Sequence, residues 1–398
     1  MNKVFSPWTS SSALGRWGLM GPYYAMFPVS FVRKMLAFLA DEGDSVIDPF
    51  CGRGTVPFVA ASMGLGSLGI DLNPVGWVFS SVKVDPEPDK QKVLDRAAEL
   101  ASLVVEDDKK AENEFQEWAW APEVLGFLRI ARRELRWKDD RTDRTLMAII
   151  LVHLHGKLGN AVSNQLRQSK AMGPEYAVRW WTARNMRPPQ LDPLEYFSAK
   201  IEWRYAKGIP PLTSRAHIHF GDARDHDGNG SNQKHRILFT SPPYAGVTNY
   251  RVDHWIRLWL LGDGALPNWE SSQRYGAKEP YRRMIHHVFN TAAKQMTGEG
   301  RDVILVRTDS RTFTRDVTAA TLRAIWPDHL LLSRAEGHER SQTRLFGDTS
   351  DKPGETDFLL LPVGHRRPTG FRRVPESAMR SVSVADLSDS CPILEAAE

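Results

Sequence analysis

A run of three apolar residues, Ile237-Leu238-Phe239, stops at Thr240-Ser241-Pro242-Pro243-Tyr244. The run predicts a strand, and two successive prolines lack the backbone donors that would continue it. A hydroxyl, a stiff turn and an aromatic ring therefore stand together at the carboxyl end of a strand, where open α/β sheets bind ligands. A second set lies upstream. Asp48-Pro49-Phe50-Cys51-Gly52-Arg53-Gly54-Thr55 is a glycine turn between the strand at 45–48 and an apolar helix from Val56 to Met63. A second strand, 67–71, ends in Asp71, about 20 residues after the glycines, where dinucleotide-type folds place the carboxylate that accepts ribose hydroxyls.

These residues need a sheet to hold them. Residues 1–27, rich in Ser, Gly, Pro and aromatics, read as an extended arm or lid, and Pro28 opens a helix with Val29, Val32, Met35, Leu36 and Leu39 on one face. Strand, glycine turn, helix and strand then form the first half of a βαβ unit. Alternation stops from Pro86 to Pro211, where helical spacings such as Val124, Leu125, Leu128 predict a mostly helical insertion. Strands resume at 217–220, followed by Gly221-Asp222-Ala223, then at 237–240, 302–307, 329–333 and 356–361. The last two are expected to be an antiparallel pair. The domain reading is 1–85 for the arm and first half of the sheet, 86–211 for the insertion, 212–363 for the second half, and 364–398 for a mobile tail.

The chain has 398 residues, 41% hydrophobic and 25% charged, with two cysteines, Cys51 and Cys391, and a formal net charge of +4. Two cysteines support neither a disulfide framework nor a four-thiolate zinc site, and the histidine pairs have no carboxylate or cysteine cluster beside them, so no metal is expected. No apolar run reaches the roughly 20 residues of a membrane helix, and no leading segment reads as a signal peptide, so a cytoplasmic protein is expected. In the second half of the insertion, Arg179, Arg184 and Arg187 interleave with Trp180 and Trp181. Two uses are open: phosphate contact with base or sugar stacking, or a small helical core beneath a solvated charged face.

Ser241-Pro242-Pro243-Tyr244 resembles the catalytic motif of the S-adenosylmethionine-dependent DNA amino-methyltransferases. Asp48-Pro49-Phe50-x-Gly52-x-Gly54-Thr55, followed by Gly69-Ile70-Asp71-x-Asn73-Pro74, resembles their cofactor motif. The resemblance spans about 28–363 apart from the insertion and implies a doubly wound, Rossmann-like α/β sheet of seven strands. It implies that Asp48, Pro49, Phe50, Gly52, Gly54, Thr55, Asp71, Asn73, Asp222 and Ala223 bind the cofactor. Ser241 and a carbonyl near Pro242 would hold the hydrogens of an exocyclic base amine, Pro243 would stiffen the turn, and Tyr244 would stack on a base flipped out of duplex DNA. Arg53 departs from the small residue usual at its position and is expected to reach a phosphate.

Serine at the motif's first position is more typical of cytosine-N4 enzymes. The expected function is thus site-specific cytosine-N4 methylation in a restriction–modification or related defence system of a prokaryotic cytosol, with a cognate nuclease as a further partner. Adenine-N6 methylation, RNA base-amine methylation and a non-catalytic nucleic-acid-binding module are the alternatives. Ring-carbon methylation of cytosine is disfavoured because it needs a thiolate, usually in a Pro-Cys pair, which neither cysteine offers.

Overall fold

The computed structural model describes residues 9–23, 26–168, 170–228, 233–246, 249–262, 277–298, 300–336 and 354–375. Helices α1 (Ala13–Gly18) and α2 (Val29–Leu39) precede β1 (Ser45–Asp48), and α3 (Thr55–Ser62) leads to β2 (Gly66–Asp71). Seven helices follow: α4 (Pro74–Val84), α5 (Lys90–Ser102), α6 (Glu114–Ala119), α7 (Pro122–Glu134), α8 (Arg141–His153), α9 (Pro174–Thr182) and α10 (Pro193–Tyr205). Then come β3 (Ala216–Phe220), β4 (Ile237–Thr240), α11 (Tyr250–Asp253), α12 (Trp255–Leu261), α13 (Lys278–Lys294), β5 (Val303–Asp309), α14 (Thr312–Ile325), β6 (Leu330–Glu336), β7 (Glu355–Leu361) and β8 (Arg372–Arg373).

The strands form one sheet in the order β3-β2-β1-β4-β5-β7-β6-β8. Neighbours from β3 through β5 pair in parallel, whereas β7 is antiparallel to both β5 and β6. This is a doubly wound, Rossmann-like sheet, with the antiparallel pair where the two late apolar runs imply it. The strand count is eight rather than seven. β8 is only Arg372–Arg373, laid antiparallel on β6, and a charged dipeptide has no apolar alternation to announce it. It lies inside the stretch read as a mobile tail, whose residues 376–398 are outside the described ones. Helix α14 is likewise unannounced, because threonine and arginine dilute the apolar spacing of Val317 and Leu322.

Alternation along the strands separates two apolar layers. Val46, Phe239, Leu305 and Leu359 face one core, with α2, α3 and α4. Ile47, Leu238, Ile304 and Leu360 face the other, with α13 and α14. The first core continues into the insertion through Phe127, Ile149 and Trp181, so that region is packed on the sheet's own helices. α2 buries Val29, Val32, Met35, Leu36 and Leu39, the face read from its three- and four-residue spacing.

Beside the parallel half, a charged group is fixed in the sheet. Arg307 on β5 donates from Nε to Asp357 Oδ1 at 2.6 Å and from Nη2 to Oδ2 at 3.0 Å. Arg334 on β6 donates to the same carboxylate at 2.6 Å, and Asp357 is fully buried. A buried pair of this kind contributes little net stability, but removing one member strands the other in low dielectric. Asp357→Leu is therefore expected to lower the unfolding free energy by about 3–5 kcal/mol, read from the shift in urea midpoint. An unchanged midpoint would contradict the buried charge network.

Candidate active site

Every parallel strand points its carboxyl end to the same edge of the sheet. The order reverses between β1 and β4, which leave the centre in opposite directions, and such a switch point opens a crevice at the carboxyl edge. The crevice is lined by Asp48, Pro49, Phe50, Gly52 and Thr55 after β1; Asp71 and Asn73 after β2; Asp222 and Ala223 after β3; and Ser241 and Pro243 after β4. The space between these turns is open to solvent at its mouth.

The turn after β1 is shaped by two left-handed glycines, with φ of 52° at Gly52 and 76° at Gly54. Both Asp71 oxygens hold backbone near it: Oδ2 accepts from Gly52 N–H at 2.6 Å and Oδ1 from Asn73 N–H at 2.7 Å. Asn73 caps α4 by accepting from Val75 N–H at 3.1 Å. Gly76 lets α4 come close, since a Cβ there would stand 3.1 Å from the Gly52 carbonyl and 3.2 Å from the Asp71 carboxyl. From below, the fully buried Lys83 donates to the Arg53 carbonyl at 2.6 Å. Across the switch point the Thr240 hydroxyl donates to Asp48 Oδ1 at 2.6 Å. Burial pushes the Asp48 carboxyl up to about 7 and the Asp71 carboxyl up to about 6.

A family model described as DNA methylase, of the N6/N4 type, matches residues 2–75. That span carries the glycine turn, Asp71 and Asn73. Over it the chain is similar to the N6/N4 DNA methylases. Type II methyltransferase M.MjaII of Methanocaldococcus jannaschii is 36% identical over 63 residues, 16% of this chain and 12% of that protein. Type II methyltransferase M.HpaI of Haemophilus parainfluenzae is 32% identical over 66 residues, 17% of this chain and 21% of that protein. The matches thus span about an eighth to a fifth of those relatives. Among solved structures, the rRNA methyltransferase aviRa from Streptomyces viridochromogenes aligns over 87% of this chain and 89% of its own, at 14% identity and a TM-score of 0.33. A likeness that slight bears on no residue.

Some residues expected to act in the cleft are engaged elsewhere. Gly54 does not line it; a Cβ at Gly54 would stand 2.5 Å from Ser80 Cβ, so its place is the α3–α4 contact. Arg53 does not reach out to a phosphate, because its buried guanidinium donates to the Gly21 carbonyl at 3.2 Å and the Leu19 carbonyl at 3.5 Å, fastening the N-terminal arm. Pro242 is buried beneath the turn. Tyr244, expected to stack on a base, is buried, and its hydroxyl donates to Glu355 Oε1 at 3.0 Å. In the insertion, Arg179, Arg184 and Arg187 are exposed and Trp180 is half-buried. Arg184 lies 4.6 Å over the Trp180 ring and Arg187 4.1 Å over Trp118. Trp181, however, is fully buried and donates to the Gln165 carbonyl at 2.8 Å, the core use left open by its sequence. Asp222 accepts from Arg224 Nε at 3.0 Å and 3.1 Å, so the cleft's third carboxylate faces a cation within its own turn.

Other lining residues escape the sequence reading by role. Tyr23, Met26 and Phe27 arrive from the arm, Asn249 and Tyr250 from beyond the proline turn, and Met284 and Val288 from α13. The four-residue spacing of Met284 and Val288 marks a helix face but not what that face meets. Among the described residues no group of three potential metal ligands occurs, and no helix is long and apolar enough to cross a membrane.

The raised carboxyls fix a pH dependence. A carboxyl whose folded pKa exceeds its unfolded value binds more protons in the fold, so stability falls as pH rises between the two. For Asp48 that window runs from 3.8 to about 7. Asp48→Asn is expected to flatten the decline of the urea midpoint across it, and an unaltered slope would show that Asp48 is not the group responsible.

Proposed function

We propose that the cleft transfers a methyl group from S-adenosylmethionine to the exocyclic amine of a base in double-stranded DNA, with the cytosine N4 amine as the favoured target. The observation carrying this reading is that the methylase segment and the Ser241-Pro242-Pro243 turn open into one crevice and are tied by the Thr240–Asp48 hydrogen bond. Neither half would be sufficient alone.

The residues present fit the cofactor. Gly52 brings open backbone to the floor, Asp71 and Asp222 offer carboxylate oxygens, and Phe50, Val56 and Met284 supply apolar wall. When bound, the cofactor supplies an electrophilic methyl group on a sulfonium. The chain's task is to prepare the amine, whose lone pair is conjugated into the base ring. The Ser241 hydroxyl and the Pro242 carbonyl accept the amine hydrogens, directing that lone pair toward the methyl group. The two prolines hold these acceptors still, so little reorganisation is needed at the moment of reaction. Duplex DNA must first release the base from its stack, and the exposed Arg179, Arg184 and Arg187 of the insertion suit phosphate contact. Serine in the first motif position favours cytosine over adenine. The type II methyltransferase names of the two relatives support a restriction–modification or defence setting in a prokaryotic cytosol, with a cognate nuclease as partner.

Incubation with methyl-labelled cofactor and mixed-sequence DNA or RNA, followed by digestion to nucleosides, tests the reading. Label is expected in N4-methylcytosine of DNA, and Ser241→Ala is expected to slow transfer by roughly 10²–10³-fold, as loss of a preorganised hydrogen-bonding group does. Label in N6-methyladenine would move the target, and label in RNA alone would overturn the DNA assignment. Unchanged transfer by Ser241→Ala would remove the catalytic role of the turn.

A further inference from the structure

The proline turn is stiff but cannot fasten itself. Pro242 and Pro243 have no backbone N–H, so bonds from outside must set where the turn sits. Its front is fixed where Thr240 meets Asp48. Its rear is Ala245, half-buried against the apolar layer that also takes in Phe50 and Phe313. The Ala245 carbonyl accepts from Nη2 of Arg311, a residue 66 positions later in the chain.

Arg311 is itself held. β5 runs parallel to β4, with Thr240 opposite Val306, and ends at Asp309 on the same edge of the sheet. Asp309 is fully buried. Its Oδ1 accepts from the Arg311 backbone N–H at 3.0 Å, and its Oδ2 from Arg311 Nε at 3.1 Å and Nη2 at 2.5 Å. Thr314, in the first turn of α14, donates to Oδ2 at 3.4 Å. A guanidinium carries its donors in a rigid planar fork. Seating Nε and Nη2 on a buried carboxylate therefore also fixes the direction from which Nη2 meets the Ala245 carbonyl.

We infer that Arg311 is a positioning residue for methyl transfer: it carries the register of β5 to the rear of the proline turn, and so sets where Ser241 and the Pro242 carbonyl meet the amine. This rests on the methyl-transfer reading above. The two prolines pass the placement on, because their fixed φ angles leave few torsions between Ala245 and Ser241 to absorb a shift. Arg311 acts through the turn and not on the substrate.

The test measures methyl transfer by the full-length protein to mixed-sequence duplex DNA. No transfer by the wild type would overturn the reading on which this inference rests. Arg311→Ala is expected to lower kcat by about 10²-fold, the scale of a misplacement of about 1 Å at a reacting centre. KM for the duplex and affinity for S-adenosylmethionine are expected to keep their wild-type values. Because 40% of the Arg311 side chain is exposed, free guanidinium at millimolar concentration has access to the emptied place. It is expected to restore part of kcat in Arg311→Ala, whereas equal sodium chloride is not. Arg311→Lys retains the charge and the aliphatic stem but not the fork, so it serves if the alanine variant does not fold, and its kcat is expected to fall as well. Wild-type kcat in either variant would overturn the assignment. A loss carried by KM for the duplex alone would do the same, as would a loss of kcat in Arg311→Ala that guanidinium leaves untouched.

Discussion

The hydrogen bond from Thr240 to Asp48 sits where the sheet changes direction, and the rest of the cleft is arranged around it. At 2.6 Å, between a hydroxyl and a buried carboxyl, it ties the last residue of β4 to the last residue of β1. On one side follows the glycine turn, on the other the serine and two prolines. Parallel pairing of Val46 with Ile237 and of Ile47 with Leu238 sets the register, so both turns emerge at one level. Burial raises the Asp48 carboxyl toward neutrality, and the Thr240 donor offsets part of that penalty.

Support for the two halves comes from different neighbours. The glycine turn is held by Asp71, by Lys83 beneath it, and by Gly76, whose missing side chain admits α4. The serine turn is held through Tyr244 by Glu355 and Arg307, a network belonging to the antiparallel strands. The antiparallel pair therefore braces the serine side of the crevice. Arg311 adds a further bond to the Ala245 carbonyl.

Much of this was legible in the sequence because it is local. A strand that ends in glycines and an acid, or in prolines after a hydroxyl, states its own geometry within ten residues or so. The antiparallel pair followed from two apolar runs. What depended on distant packing did not show: Arg53 reads as an exposed cation until the arm's carbonyls close over it, and the bond from Tyr244 to Glu355 joins residues 111 positions apart. Trp181 kept both readings open, since an indole can stack on a base or fill a core, and only its burial decides between them. Residues 1–27 read as an extended arm or lid, but the contact of Tyr23 with Asn73 joins residues 50 positions apart and has no sequence signal.

The central claim is that the strand ends on either side of the switch point form one cofactor-holding cleft. Calorimetric titration of S-adenosylmethionine into the wild-type protein and Asp71→Ala tests it most directly. The account predicts saturable binding to wild type and affinity lower by at least about tenfold in the variant, the scale of a lost hydrogen bond to a charged group. Equal affinities, in a variant that remains folded, would contradict it.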